Sequence, residues 1–533
     1  MRTKNRSISM SAFLVLAVIL LGLASIQNPQ VRQPLSQPRS LLIPPPPSAP
    51  YWSYKTGGDV QAVAVSQDGG TVVAGSYNGK IYLFGRQDNT TLWTYKFALG
   101  AIDGVAVSDN GSTIVAGGSD GYIRAFGRES NTTIWAYKAS ASINSVAISA
   151  DGNTIVAGGD NHYVYVFGRQ NNATIWNYNT TLRVRSVAVS ADGSTIVSGD
   201  EHYWPFPSYG YVRVFGRQDN TTLWTYKAGI IEGVAVSANG STIVAGSDDF
   251  IFYVFGRQSN TTIWTYKTSN PAEGVDVSAD GNTIAAGSRD GNLTVFARAS
   301  NATLINYETN SLLYNTVAVS SDGSTIACGG WGSATYSLYP RAWLFSKNLG
   351  LLWNYNVGGN ISDSIWGPAV GISGDGTLIA YGSDNGKIFA FQYDYTPPVL
   401  GLPSASPLSP VGGQSIDISI SVTDNIGVKL VNLNYKTPDS GYWSSAQMVL
   451  SGDIYTATIG PFNSGTNVTY YISASDSSDN VASSPNYAIT IGQGIEPVLI
   501  IMAVISVVAI VVILSIVILM RRARSAGQGR KTK

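Results

Sequence analysis

The side chains that could make or break bonds in this 533-residue chain are few and scattered. There are two histidines, His162 and His202, too few for a metal centre without carboxylate help, and neither H-E-x-x-H nor C-x-x-C occurs. His202 beside Glu201 is the one suggestive pair. The single cysteine, Cys328, stands where related segments carry Ala and reads as a small buried residue. No G-x-S-x-G reads as a strand-to-helix nucleophile elbow. Lys plus Arg and Asp plus Glu balance at 33 each, and charged residues make up only 12%, so no basic surface argues for nucleic acid. Catalytic, metal and cofactor roles are therefore not expected. What remains is binding chemistry, carried by exposed aromatics and Asn-x-Ser/Thr sequons.

These groups are placed by a repeat. A unit reading V-A-V-S-x-D-G-x-T-I-V-A-G, then V-x-V-F-G-R, then N-T-T-[LI]-W-x-Y-K recurs through residues 52–393. Its leading Val falls at Val63, Val105, Val146, Val187, Val234, Val275, Val317 and Val370, and its W-x-Y begins at Trp52, Trp93, Trp135, Trp176, Trp224, Trp264 and Trp353, with Ile305 standing in once. Each unit holds four short runs of β-branched and aromatic residues, which predict four strands, a to d. The parts are out of phase. The chain opens with an orphan d, Trp52 to Tyr54, and the last unit, Val370 to Phe391, lacks one. Four-stranded sheets repeated about an axis make a propeller, whereas a solenoid would need polar caps and no such offset. The expected fold is all-β: an eight-bladed β-propeller over 51–394 whose eighth blade is completed by the N-terminal strand d.

Val187 to Gly199 resembles the WD-repeat pattern, and Gly118 to Lys138 is similar to the quinoprotein (PQQ-type) repeat, whose blades also end in Trp. The closing W-D dipeptide of WD repeats is replaced by Phe-Gly. Quinoprotein dehydrogenases carry an adjacent Cys pair over their cofactor; with one Cys, that part of the resemblance does not transfer. The S-A-D-G-S-T turns are similar to sialidase Asp-boxes but one residue short. The resemblance implies a fold, and propellers host unrelated functions.

Loop lengths single out one face. The a–b and c–d connections are near-constant, while two b–c connections, Gly199 to Phe215 and Gly329 to Phe345, are long, as is the d–a connection from Trp353 to Val370. All three share one end of the sheets. They carry Tyr203, Trp204, Phe206, Tyr209 and Tyr211; Trp331, Tyr336, Tyr339 and Arg341; and Asp363 and Trp366. Such residues anchor protein interfaces and stack on sugars, unless they fold back over blade edges. Inner strand a offers Val, Ala and Ser to the central funnel, with Asp276 as the lone departure.

Sequons at Asn89, Asn131, Asn172, Asn220, Asn260 and Asn301 all fall in the c–d turn; others lie at Asn110, Asn179, Asn239, Asn292, Asn360 and Asn467. Duplication of a favourable turn explains the Asn. The Thr held two residues on, in an exported chain, points to glycosylation at several of the six.

The flanks supply the address. Arg2, Lys4 and Arg6 precede an apolar run and small residues near Ala24, which reads as a signal peptide over 1–26, with an uncleaved anchor as the less favoured alternative. Residues 27–50 form a Pro-rich linker. Residues 395–494 carry alternating strands of a β-sandwich; V-T-D-N-I-G-V (Val422 to Val428) and the run from Tyr470 to Asn480 resemble fibronectin-III/Ig-like modules of prokaryotic surface proteins. The uncharged run 497–520 predicts a transmembrane helix, and the basic tail 521–533 places the C-terminus in the cytoplasm. Export without disulfides suits a prokaryotic surface, archaeal or bacterial. The combined expectation is a membrane-anchored, non-enzymatic scaffold binding an extracellular protein or glycan, with the loop-rich face outward. The alternatives are an envelope-structural component and an exported enzyme with a ligand in the funnel.

Overall fold

The structure, a computed structural model, describes residues 49–204, 206–311, 313, 316–330, 341–357, 369–425, 427–478, 480–494 and 497–528. The expected signal peptide, the linker up to residue 48, the last five residues of the tail, and Trp331, Tyr336, Tyr339, Asp363 and Trp366 lie outside the described residues. The chain divides into two compact units, the first running through Tyr395 and the second from Thr396.

The first unit is built from one device. In the first copy the strands Val60–Val65, Thr71–Ser76, Lys80–Gly85 and Thr91–Lys96 pair in sequence order, all antiparallel. The second strand is buried along its whole length, which is why it reads T-V-V-A-G-S without a polar alternation. A tight turn joins the first two strands: Ser66 Oγ donates to Asp68 Oδ1 at 2.5 Å, Thr71 N donates back to Ser66 Oγ at 3.0 Å, and Gly69 takes φ +66°. The Gly next to last in the second strand lets the next copy come close, since a Cβ on Gly75 would lie 2.5 Å from Ile102 Cγ2.

Among the described residues eight four-stranded sheets of this kind fill Trp52–Gln392. Seven are consecutive in sequence. In the last, Val370–Ile372, Leu378–Gly382 and Lys387–Gln392 take their fourth strand from the N-terminus: Trp52–Lys55 pairs antiparallel with Lys387–Gln392, placing Trp52 opposite Ala390. The first strands of successive sheets pack on one another, and those of the last and first sheets do likewise. A chain of backbone bonds links the a–b turns, from Asp68 N to Asp109 O and Asp109 N to Ala150 O through Ser321 N to Gly374 O, and Gly374 N donates to Gln67 O at 2.8 Å.

Two kinds of side-chain latch tie outer strands to the next sheet, the indole bond being made by six tryptophans, while Ile305 has no indole and Trp353 Nε1 is buried without a partner. Trp93 packs its ring 5.4 Å from Phe126, and its indole N–H donates to Arg128 O at 2.8 Å. The same pair joins the N-terminal strand to the first sheet, with Trp52 5.1 Å from Phe84 and donating to Arg86 O at 3.0 Å. The Arg of F-G-R then reaches back to the preceding sheet: Arg128 Nε donates to Thr71 Oγ1 at 2.9 Å, and Arg86 Nη2 to Thr377 Oγ1 at 2.8 Å. Lys347 and Tyr395 take this part on Thr283 and Thr325.

The second unit contains two sheets that share a core. Ile416, Ile418, Ile420 and Ile459 of one face Val431, Leu433, Val468, Tyr470 and Ile472 of the other. Alternate residues of Asn467–Asp476 are buried, as a two-sided strand requires. The helix Pro497–Gln528 is long and apolar enough to cross a membrane. It runs past Met520, so residues 521–528 of the basic tail continue the helix.

Candidate binding face

Three parts make up the face carrying the b–c and d–a connections. The first is a ring of polar side chains that the sequence reading missed. In six inner strands the pairing with the second strand slips by one residue, between Val60 and Ala62, Ile102 and Gly104, Ile143 and Ser145, Val184 and Ser186, Ile231 and Gly233, and Ala272 and Gly274. The extra residue in each bulge is Gln61, Asp103, Asn144, Arg185, Glu232 or Glu273. A bulge re-aims a side chain out of the ladder. Three of the six, Asn144, Arg185 and Glu232, line with Asp276 a cavity of about 390 Å³ between the inner strands. The expectation that Asp276 is the lone departure from Val, Ala and Ser along the funnel is corrected on this point. The signal was present two residues before each leading Val, outside the run taken as strand a.

These groups form a network. Asn144 Nδ2 donates to Asp160 Oδ1 at 2.7 Å, and Arg183 pairs with both Asp160 (2.9 Å) and Glu201 (3.2 Å). Arg185 bridges Glu201 at 2.9 Å and Glu232 at 2.7 Å, and Arg289 pairs with Glu273. Acids outnumber bases. Burial, together with Asp160 and Asp120, pushes the Asp103 carboxyl up to about 6. Burial and the neighbouring Glu232 push Glu273 to about 7 against the pull of Arg289, and burial also raises Glu232. Asp276, raised to about 6 by burial, is not a free funnel acid: its two oxygens accept from Val277 N at 2.8 Å and, in the next sheet, Val319 N at 2.7 Å.

The second part is the long connection of the fourth sheet. Its stem is a two-stranded extension in which His202 and Tyr209 exchange backbone bonds at 2.6 and 3.1 Å and their rings lie 4.7 Å apart. Glu201 is engaged by Arg183 and Arg185, so the His202–Glu201 pair is not a metal-ligand pair in this arrangement. A buried ion pair, Asp200 with Arg213, anchors the stem, and Asp200 also accepts from Tyr211 N at 2.7 Å. At the tip Tyr203, Trp204 and Phe206 are 64%, 71% and 64% exposed, with Trp204 edge-on to Phe206 at 5.4 Å. Tyr209 and Tyr211 are only partly exposed and sit under Lys227 and Arg213. The third part is Arg341, which donates to Asn354 Oδ1 at 2.7 Å. The structure thus brings Tyr203, Trp204 and Phe206 together as a free aromatic tip and ties down the other three.

The opposite face is otherwise occupied. All six c–d turn sequon asparagines spend their amide N–H on the neighbouring sheet: Asn89, Asn131, Asn172, Asn220, Asn260 and Asn301 donate to the carbonyls of Ser53, Thr94, Ala136, Asn177, Thr225 and Thr265, at 2.9 to 3.2 Å. Each acceptor is the middle residue of a W-x-Y, or its equivalent. This sheet-to-sheet bond accounts for the Asn without a sugar. Asn131→Ala is expected to lower stability by about 1 kcal/mol, and Asn131→Asp, which has no donor, to do no better, measured as shifts in the denaturation midpoint. A hollow of about 550 Å³ on this face, lined by Arg169, Asp192 and Arg217, lies between the third and fourth sheets. It marks the one gap in the Arg–Thr series among the described residues, for Thr113 Oγ1 is buried without a partner.

Comparison with known proteins agrees with this architecture. Residues 46–204 match the family described as outer membrane protein assembly factor BamB, and residues 260–296 match the WD domain, G-beta repeat. Sqt1 of Chaetomium thermophilum, solved bound to the N-terminus of the ribosomal protein L10, is similar over 64% of this chain and 99% of its own, with TM-score 0.55 and 18% identity. The computationally designed Ika8 protein is similar over 65% of this chain and 100% of its own, with TM-score 0.51 and 16% identity. No curated protein matches. The fold is a β-propeller. On a propeller the six bulges fall at one height of the inner strands, and the aromatic hairpin rises beside the bulge that carries Arg185.

Proposed function

We propose that this chain is a non-enzymatic binding scaffold displayed on a prokaryotic cell surface. In this reading an eight-bladed propeller, closed by the N-terminal strand, is followed in the chain by an Ig/fibronectin-III-like sandwich. One membrane span holds it, with the C-terminus inside. The observation that carries the reading is the inequality of the two faces. One face combines an acid-rich ring of bulged side chains with a free Tyr203–Trp204–Phe206 tip, while the turns of the other are consumed by sheet-to-sheet bonds. Exposed aromatics beside ionic groups are the chemistry of interface anchors. Sqt1, with its ribosomal-protein segment, is an instance of a propeller holding a piece of another protein. The partner here is an extracellular protein or glycan. Replacing Trp204 and Phe206 together by Ala should weaken binding about tenfold or more while leaving the melting temperature unchanged, since both rings stand in solvent. Retained binding would move the site elsewhere. Concentration-dependent self-association with no ligand would favour an envelope-structural role instead.

A further inference from the structure

We infer that, among the sequons of the a–b and c–d turns, the N-glycan acceptors are Asn110 and Asn239, not the six c–d turn asparagines; this rests on the export reading above. In six of the a–b turns an Asp closes the turn, its Oδ1 accepting from a Ser hydroxyl and a backbone N–H, as Asp192 does from Ser190 and Ser194. In the second and fifth sheets Asn stands in that place. Asn110 Oδ1 accepts from Ser108 Oγ at 3.0 Å and Ser112 N at 3.1 Å, and Asn239 Oδ1 from Ser237 Oγ and Ser241 N, both at 3.0 Å. The turn needs only the oxygen, so an Asp would serve equally. The amide nitrogen is surplus, and both residues are exposed. Each opens an N-G-S sequon, Asn110-Gly111-Ser112 and Asn239-Gly240-Ser241. The six c–d turn asparagines differ in the atom that matters, for their Nδ2 is already engaged across to the next sheet.

The modifying group is an oligosaccharide carried on a polyprenyl phosphate. Transfer forms a bond from Asn Nδ2 to C1 of the first sugar and breaks the C1–O bond to the carrier. The carrier phosphate leaves with the electron pair, and the amide gives up one proton. Both acceptors lie on the face opposite the aromatic tip, so glycans there would leave the binding face clear.

The test is glycopeptide mass spectrometry on the full chain, made in a host whose export pathway N-glycosylates. It is run beside the Asn110→Asp/Asn239→Asp double variant, which keeps the turn oxygen. The expected result is sugar on the Asn110 and Asn239 peptides at several-fold higher occupancy than on those of Asn89, Asn131, Asn172, Asn220, Asn260 and Asn301. The double variant should lose that mass with an unchanged melting temperature. An exported, leader-cleaved chain with both sites bare, or with the turn sites equally occupied, overturns the inference. A chain retained inside the cell with its leader intact overturns the export reading instead.

Discussion

A chain that begins at Gly57, without the strand Trp52–Lys55, is expected to lose most of the stability of the propeller. The deletion strips the outer strand from the last sheet, exposing the edge of Lys387–Gln392, and removes Trp52 and Tyr54 from Phe84 of the first sheet. Trp52 is 6% exposed, so Trp52→Ala alone should cost about 3–5 kcal/mol through the cavity and the lost bond to Arg86 O. Against the roughly 5–15 kcal/mol that holds a typical domain, the deletion should leave a large unfolded fraction at 37 °C. Denaturant melts of the full chain, the truncation and Trp52→Ala decide the point. Adding the missing strand back as a peptide should restore part of the loss. A truncation that melts like the full chain would mean the strand is decoration and the seam lies elsewhere.

The second large effect is expected at Arg185. It pairs with Glu201 and Glu232, both nearly buried, so Arg185→Leu takes from Glu232 its paired cation and leaves Glu201 with Arg183 alone. Breaking a buried pair from one side costs about 3–5 kcal/mol at pH 7.5. The loss should shrink towards pH 5, where the orphaned carboxyl can take a proton. The parent protein shows a milder form of this dependence. Asp103, Glu273 and Asp276 have folded pKa values raised to about 6, 7 and 6. A raised carboxyl binds its proton more tightly when folded. Its stabilising contribution is present in full below the unfolded pKa and lost as pH climbs through the folded one. Asp151, Asp192 and Asp280 go the other way: burial works against them, but bonds from Ser and from the turn backbone hold their pKa values down. Their contribution is lost in acid. Stability should therefore peak near about pH 4 and fall towards pH 8, by on the order of 1 kcal/mol for each raised group. A melting temperature flat from pH 5 to 8 in the parent, or an Arg185→Leu defect unchanged across that range, would contradict the buried-charge account.

Much of this architecture was legible because the repeat is strict. The four runs per unit predict the four strands, and the orphan Trp52–Tyr54 together with a last unit lacking its W-x-Y predicts a strand borrowed from the far end of the chain. The borrowed strand is present, opposite Ala390. The site was less legible for a physical reason. A bulge is a one-residue slip between two strands, and period-2 alternation read from Val63 or Val234 starts after it. Gln61, Asp103, Asn144, Arg185, Glu232 and Glu273 therefore looked like loop residues. The turn asparagines are ambiguous in sequence for a related reason: an N-T-T that bonds to a neighbouring sheet and an N-T-T that awaits a sugar are the same letters. Only the position of Nδ2, 3.1 Å from Thr94 O in the case of Asn131, separates them. The aromatic tip was found from loop length alone, but which of its rings are free depends on Lys227 and Arg213, which come from other parts of the fourth sheet.

The central claim is that the b–c face is the working surface. The most direct measurement is a glycan- and protein-array screen with residues 27–494, in three forms: the parent, a variant with the Tyr203 to Ser208 tip replaced by a short turn, and a variant altered only on the opposite face at Asn131. The account predicts binding by the parent and the Asn131 variant, and its loss when the tip is removed with the fold intact by circular dichroism. Binding that survives loss of the tip but fails in the Asn131 variant would put the working surface on the other side of the propeller and contradict the account.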